Sequence, residues 1–213
     1  MNYNQRLKPF VLRLALAALG VSLAFFAAGS LYARALLPLC SAVLAAVQPQ
    51  YEIQSLRLTG SAIHLVTVVH RQVAKERGAP LRMKRMVPVS LYASSIYVQP
   101  IVLLSLLAAW PLAWRKKMKA LLLAVPVLVA ISLVDIPFVL AWEVEDAIAA
   151  DLPGSIKTLS FAGMEIQTRV QESQALTYWN VFLQTGGRQF LAILGLLLCI
   201  GPFYLADEPR QNH

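Results

Sequence analysis

The chain has 213 residues, 58% of them hydrophobic and 14% charged, with a mean hydropathy of +0.60. Soluble globular chains run near 45–50% apolar and about 25% charged, so the composition points instead to an integral membrane protein. The formal charge of +8 resembles a nucleic-acid signature until it is mapped, when much of it proves to flank apolar segments. Two cysteines exclude a disulfide-rich scaffold and a four-cysteine zinc site.

A helix needs roughly 20 apolar residues to cross a hydrocarbon core of ~30 Å. Residues 1–33 supply a short N-terminus and a first span centred on 10–32. The small residues around Ala27-Ala28-Gly29-Ser30 invite a signal-peptide reading, but an h-region is only about 7–15 residues long. The run is longer than that, so it reads as an uncleaved anchor. Residues 34–92 form a first external segment. Within it, Leu36, Leu37, Cys40, Val43, Leu44 and Val47 fall at helical spacing up to the break at Gln48-Pro49. That pattern predicts an amphipathic helix on the outer surface.

Next, Tyr51 and Ile53 alternate with Glu52 and Gln54, and after Gly60 the residues Ile63, Leu65, Thr67 and Val69 alternate with more polar neighbours. Alternation on both sides of a glycine predicts a hairpin, and the alternation through Leu81, Met83, Val87 and Val89 predicts a further strand. A second span follows at 93–114, a basic loop at 115–119 and a third span at 120–142. Residues 143–187 form a second external segment, 188–206 the fourth span, and 207–213 a tail. Arg6 and Lys8 before the first span, with Arg115, Lys116, Lys117 and Lys119 between the second and third, lie on one side of a four-span chain. The excess of Lys and Arg in short flanks marks that side as cytoplasmic, so both termini are expected there, in a bacterial inner membrane.

The second external segment echoes the first. A short amphipathic stretch ends at Pro153-Gly154, and residues 158–166 (TLSFAGMEI) align with 55–63 (SLRLTGSAI), matching Gly163 to Gly60. The match is short and built from common residues, so an internal duplication and a chance pattern both stand. Segment 34–92 carries eight basic and two acidic residues, and 142–187 two basic and six acidic. Opposite fields favour their association modestly. The expected architecture is four transmembrane helices carrying a small external α+β cap of two β-hairpins, which pair into one sheet because an isolated hairpin is marginal in water.

Few residues suggest chemistry. Asp135 lies inside the third span, where an ionisable group is a functional candidate, and Arg188 at the start of the fourth is its plausible partner. Pro137 leaves a backbone carbonyl free near Leu133, so the polarity there also has a structural reading. Cys40, His64, His70 and Arg71 share the first external segment, and membrane transpeptidases use Cys, His and Arg. The plainer reading puts Cys40 on an apolar helix face and the histidines on the polar face of a strand. The two histidines, six residues apart, are separated by roughly 20 Å along a strand, which disfavours a shared metal site. Arg71, Lys75, Arg77, Arg82, Lys84 and Arg85 make a basic run suited to anionic head groups or a partner's acidic face. Neither a cofactor nor nucleic acid is expected.

The four-span layout with two external segments, together with Leu37-Pro38-Leu39-Cys40 just after the first span, is similar to that of exosortase H-associated membrane proteins. The resemblance implies an accessory role beside an exosortase-like membrane enzyme in sorting exported proteins, and transfers no catalytic residue. The function expected is therefore non-enzymatic, with membrane lipid and a membrane-protein partner as contacts. The alternatives are a Cys-His-Arg thiol enzyme and a small transporter or lipid-binding subunit.

Overall fold

The computed structural model describes residues 3–73, 81–150, 156–161, 164–169 and 174–205. Helix α1 spans Tyr3–Val47, followed by strands β1 (Tyr51–Thr59), β2 (Ala62–Val73) and β3 (Leu81–Tyr92). Helices α2 (Ala93–Ala109) and α3 (Trp114–Ala149) lead to β4 (Ile156–Phe161) and β5 (Met164–Arg169). Helix α4 (Gln174–Phe182), a π-helical turn Leu183–Gly187 and α5 (Arg188–Leu205) complete the order. Three helical stretches are long and apolar enough to cross a membrane: Lys8–Val47, Trp114–Ala149 and Ala175–Tyr204.

Several boundaries differ from the sequence expectation, and residues 115–119, read as a loop, and 143–149, read as external, are helical within α3. No separate surface helix occupies 34–47; α1 runs unbroken for 45 residues, roughly 67 Å. Nothing between Gly29 and Ala35 breaks a helix strongly, and Pro38 removes only one backbone bond, to the carbonyl of Arg34, from a long ladder. Helix α2 stops at Ala109 rather than continuing to residue 114, because Pro111 holds the residue before it out of helical geometry.

The chain divides into two compact units rather than one. The helical unit comprises Met1–Tyr32, Ile96–Ser132 and Gly186–His213, and the mixed unit Ala33–Ser95 and Leu133–Thr185. In the helical unit, Leu103 and Leu107 of α2, Ala120, Ala124 and Leu128 of α3, and Ala192, Leu196, Cys199 and Ile200 of α5 form one buried cluster. Small residues let these helices approach closely. A Cβ added to Gly195 would stand 2.6 Å from Leu103 Cδ1 and 3.0 Å from Val127 Cγ1 and Ile131 Cδ1. Likewise a Cβ on Gly29 of α1 would meet the Tyr97 ring at 2.8 Å. Tyr32 and Ser132 share a 2.7 Å hydrogen bond, joining α1 to α3.

In the mixed unit, β1, β2 and β3 form an antiparallel sheet in that order. Ile63, Leu65, Thr67 and Val69 of β2, with Val87, Val89 and Leu91 of β3, are buried on one face. On β3 they alternate with the exposed Met86, Pro88, Ser90 and Tyr92, the period-two pattern read from the sequence, whereas on β2 the alternation breaks at Val68, which is buried too. The same unit buries a stripe of α1 (Ala33, Leu36, Cys40, Leu44) at three- and four-residue spacing. Strands β4 and β5 make their own two-stranded sheet, so the hairpins do not pair into one. Both edges of β2 are already taken, by β1 and β3.

The register also separates the two glycines. The first hairpin closes at Thr59↔Ala62, with Gly60 first of the two intervening residues. The second closes at Phe161↔Met164, where Gly163 is second of two and lies outside the described residues. The aligned segments are thus offset by one position. Gly60 has φ +60°, a conformation L side chains rarely adopt, and open space where a Cβ would project. Gly60→Val is therefore expected to destabilise the β1–β2 turn by about 1 kcal/mol or more through backbone strain alone. Faster amide exchange confined to β1 and β2 is the readout; unchanged exchange would remove the strain argument.

Candidate functional site

The basic run sits on a distinctive piece of backbone. β2 and β3 pair continuously from Ala62↔Tyr92 to Val73↔Leu81, whereas β1 begins only at Tyr51↔Val69. Beyond Val69 and Arg85 the sheet therefore continues as a two-stranded ribbon. Its register sets Lys84 opposite His70, Met83 opposite Arg71 and Arg82 opposite Gln72, with Arg85 at its root opposite Val69. Positions 82 and 84 share one face with 70 and 72; 71 and 83 share the other. Lys75 and Arg77 lie outside the described residues. From 70 to 85 the chain carries six Lys or Arg against Glu76 alone, so four of the six basic residues stand on paired strands rather than in an irregular loop.

The thiol constellation is divided between two elements, α1 and β2. Cys40 is on α1 with 0% exposure, inside the stripe Leu36–Cys40–Leu44. His64 is on β2 between Arg57 and Ser90, and is exposed. It alternates with the buried Ile63 and Leu65, so it lies on the face opposite the interior. Along β2, His64 and His70 share a face, and Arg71 occupies the other. A nucleophilic thiol needs a positioned base within hydrogen-bond reach. An enclosed Cys40 and an exposed His64 do not provide that pair. Cys199 is also buried, in the helical unit. Among the described residues no three His, Cys, Asp or Glu side chains gather as a metal site.

A buried polar network in the mixed unit is the part that sequence reasoning missed. Tyr51 of β1 donates its hydroxyl to Glu145 Oε1 of α3 at 2.7 Å, with both residues buried (4% and 5% exposed). The two stand 94 residues apart in sequence, so no local spacing announces the bond. One signal was present: Glu145 follows Ala141 by four residues and Val144 by one, which puts it on the buried stripe of α3. Nearby in sequence, Asp135 is 1% exposed and belongs to this unit, within electrostatic reach of Cys40. Arg188, its expected partner, belongs to the helical unit. Thr177 and Asn180 of α4 add further buried polar side chains.

Around Pro137 the backbone finds a side-chain partner. Trp179 of α4 donates its indole N–H to the Val134 carbonyl at 3.2 Å and stacks edge-on against Phe138, with ring centroids 6.5 Å apart. Burial of a carboxylate is costly unless its oxygens are bonded. Glu145 therefore depends on Tyr51, and the bond ties the start of the sheet to α3.

Tyr51→Phe is expected to lower stability by about 1–3 kcal/mol, the cost of a buried acceptor left without its donor. The double change Tyr51→Phe with Glu145→Leu should recover part of that loss, because both polar partners are then gone. A double-mutant cycle on denaturant midpoints in detergent is the measurement, and strictly additive losses would show that the two residues do not act together. Comparison of the chain with family models, with curated proteins and with solved structures finds no match in any of the three.

Proposed function

We propose that this chain is a non-enzymatic accessory protein of the bacterial inner membrane, crossing it four times with both termini in the cytoplasm. Its mixed unit would then be exported and would dock a partner membrane enzyme, of the exosortase kind, through the basic β2–β3 ribbon. The observation that carries this reading is the ribbon itself: a paired extension with Arg71, Arg82, Lys84 and Arg85 in fixed register, reaching past the edge of β1. Fixed backbone lowers the ordering cost of presenting charges to an acidic surface.

The fourth crossing falls to α2. At 17 residues it is roughly 25 Å long, short of a ~30 Å core. Its burial with α3 and α5 through Leu103 and Leu107 supports a crossing, and a mismatch of a few ångströms is absorbed by local thinning or tilting of neighbours. The first span supports a lipid contact directly. Leu12, Leu16, Leu19, Leu23 and Phe26 are exposed, Phe26 at 92%, a pattern suited to acyl chains. The enclosed position of Cys40 leaves the thiol-enzyme alternative without a reactive centre.

Two measurements test the proposal. Single-cysteine labelling with a membrane-impermeant reagent, after replacement of Cys40 and Cys199, should reach sites at Gln72 and Ser173 in intact cells but not at Lys117. If α2 only dips into the bilayer, Gln72 and Lys117 label together and Ser173 does not. Co-purification in detergent with a co-expressed exosortase-like enzyme should be stoichiometric. The quadruple reversal Arg71→Glu, Arg82→Glu, Lys84→Glu and Arg85→Glu should abolish it at unchanged membrane abundance. Retained binding by that variant would remove the ribbon from the proposal.

A further inference from the structure

An antiparallel ladder bonds every second pair of residues, so the register decides which backbone groups of a strand face outward. The Ala93 N–H donates to the Ser61 carbonyl at 2.8 Å, which continues the β2–β3 register by one pair and makes 61↔93 a bonded pair. Bonded pairs therefore recur at 63↔91, 65↔89, 67↔87, 69↔85, 71↔83 and 73↔81. The odd-numbered residues of β3 turn their N–H and C=O to β2. The even-numbered ones (Arg82, Lys84, Met86, Pro88, Ser90 and Tyr92) turn theirs away from it. β3 is an edge strand, so among the described residues no strand lies on that side. Pro88 falls on an outward position, where its missing N–H costs the ladder nothing.

Both edges of the three-stranded sheet are interrupted. On β1 the register shifts between Ile53 and Ser55, and an irregularity of that kind spoils an edge for pairing. On β3 Pro88 removes one donor. What remains regular is 81–87, with outward N–H donors and carbonyls at Arg82, Lys84 and Met86. The same stretch carries the basic run: Arg82, Lys84 and Arg85 lie on it, and Arg71 stands opposite Met83. We infer that the partner docks by adding a strand to β3, an extended acidic segment bonded to the backbone of residues 82, 84 and 86 with its carboxylates beside the basic positions. The inference rests on the ribbon being the docking element and names how the partner is gripped. Backbone bonds give affinity whatever the side chains, and the charges select the sequence. An added strand makes two bonds at each outward residue, about six over this stretch. An acidic surface built of helices does not supply them. Lipid phosphates answer the charges but only accept hydrogen bonds, so they leave the outward carbonyls unmet.

The test uses the purified full chain in neutral detergent and a fluorescein-labelled octapeptide of alternating Glu and Thr, read by anisotropy. The peptide should bind. The same peptide N-methylated at every residue, identical in charge but without donors, should bind at least about tenfold more weakly. Met86→Pro removes an outward donor without touching the β2–β3 ladder or any charge, and should weaken the unmodified peptide about tenfold. Met86→Ala, which keeps the donor, and Ser90→Pro, beyond Pro88, should each change it by under about twofold. Amide exchange along β2 identifies any proline variant that has lost the ladder, and the peptide pair, measured on the unaltered chain, then carries the test. Equal binding of the two peptides would overturn strand addition while leaving a charge-based docking of the partner in place. Dimers of the chain alone that Met86→Pro dissolves would assign the edge to a second copy. Phosphatidylglycerol micelles that displace the peptide and bind the wild type and Met86→Pro equally would assign the charges to the bilayer. Either result would overturn the proposal. Donor-dependent peptide binding without co-purification of an exosortase-like enzyme would remove that enzyme as the partner and keep the edge.

Discussion

A backbone amide in apolar surroundings has no water to bond, so a segment placed there must satisfy its own donors and acceptors. Only a helix does this without a partner strand. The most apolar stretches of this chain, in α1, α2, α3 and α5, are accordingly all helical. Among the described residues, strands occur only where polar residues alternate with apolar ones, at 51–92 and 156–169, and all of them belong to the mixed unit. The division of the molecule follows from that constraint. Helices α1 and α3, 45 and 36 residues long, each contribute residues to both units.

What the sequence made legible was mostly local. The alternation from Tyr51 to Tyr92, broken at Gly60, translates into three strands with a two-residue turn at that glycine. Apolar runs translate into helices for the same reason. The failures came where distant elements compete. Residues 34–47 have the apolar spacing of a free surface helix, yet that stripe is the continuation of α1 and is buried in the mixed unit. The second hairpin keeps to a two-stranded sheet of its own although β1 and β3 are both edge strands of the first, and no local pattern in residues 156–169 announces that outcome. At the candidate site, the ribbon's charges were visible and its register was not. The Tyr51–Glu145 bond joins residues too far apart in sequence for any periodicity to link them.

The polar groups inside the molecule are few and placed with purpose. Tyr32 and Ser132 satisfy each other between α1 and α3, and Trp179 reaches the Val134 carbonyl near Pro137. Each such bond costs little when made and much when one partner is missing. That asymmetry makes them determinants of which helices meet rather than large sources of stability. Close approach does the rest, as at Gly195, where the space for a methyl group is taken by Leu103 of the neighbouring helix.

Among the described residues, β2 has no strand beside it past Val69 on the side that β1 takes elsewhere, and β3 is an edge strand along its length. Open strand edges are templates for another copy of the same chain, and proteins guard against such stacking with Lys and Arg at the edge. Two ribbons approaching side by side would bring Arg71, Arg82, Lys84 and Arg85 of each molecule together. The repulsion rises as salt falls. The same charges that could recruit an acidic neighbour thus keep identical molecules from adding to one another strand by strand, and neutralising them would expose the protein to aggregation through its own sheet.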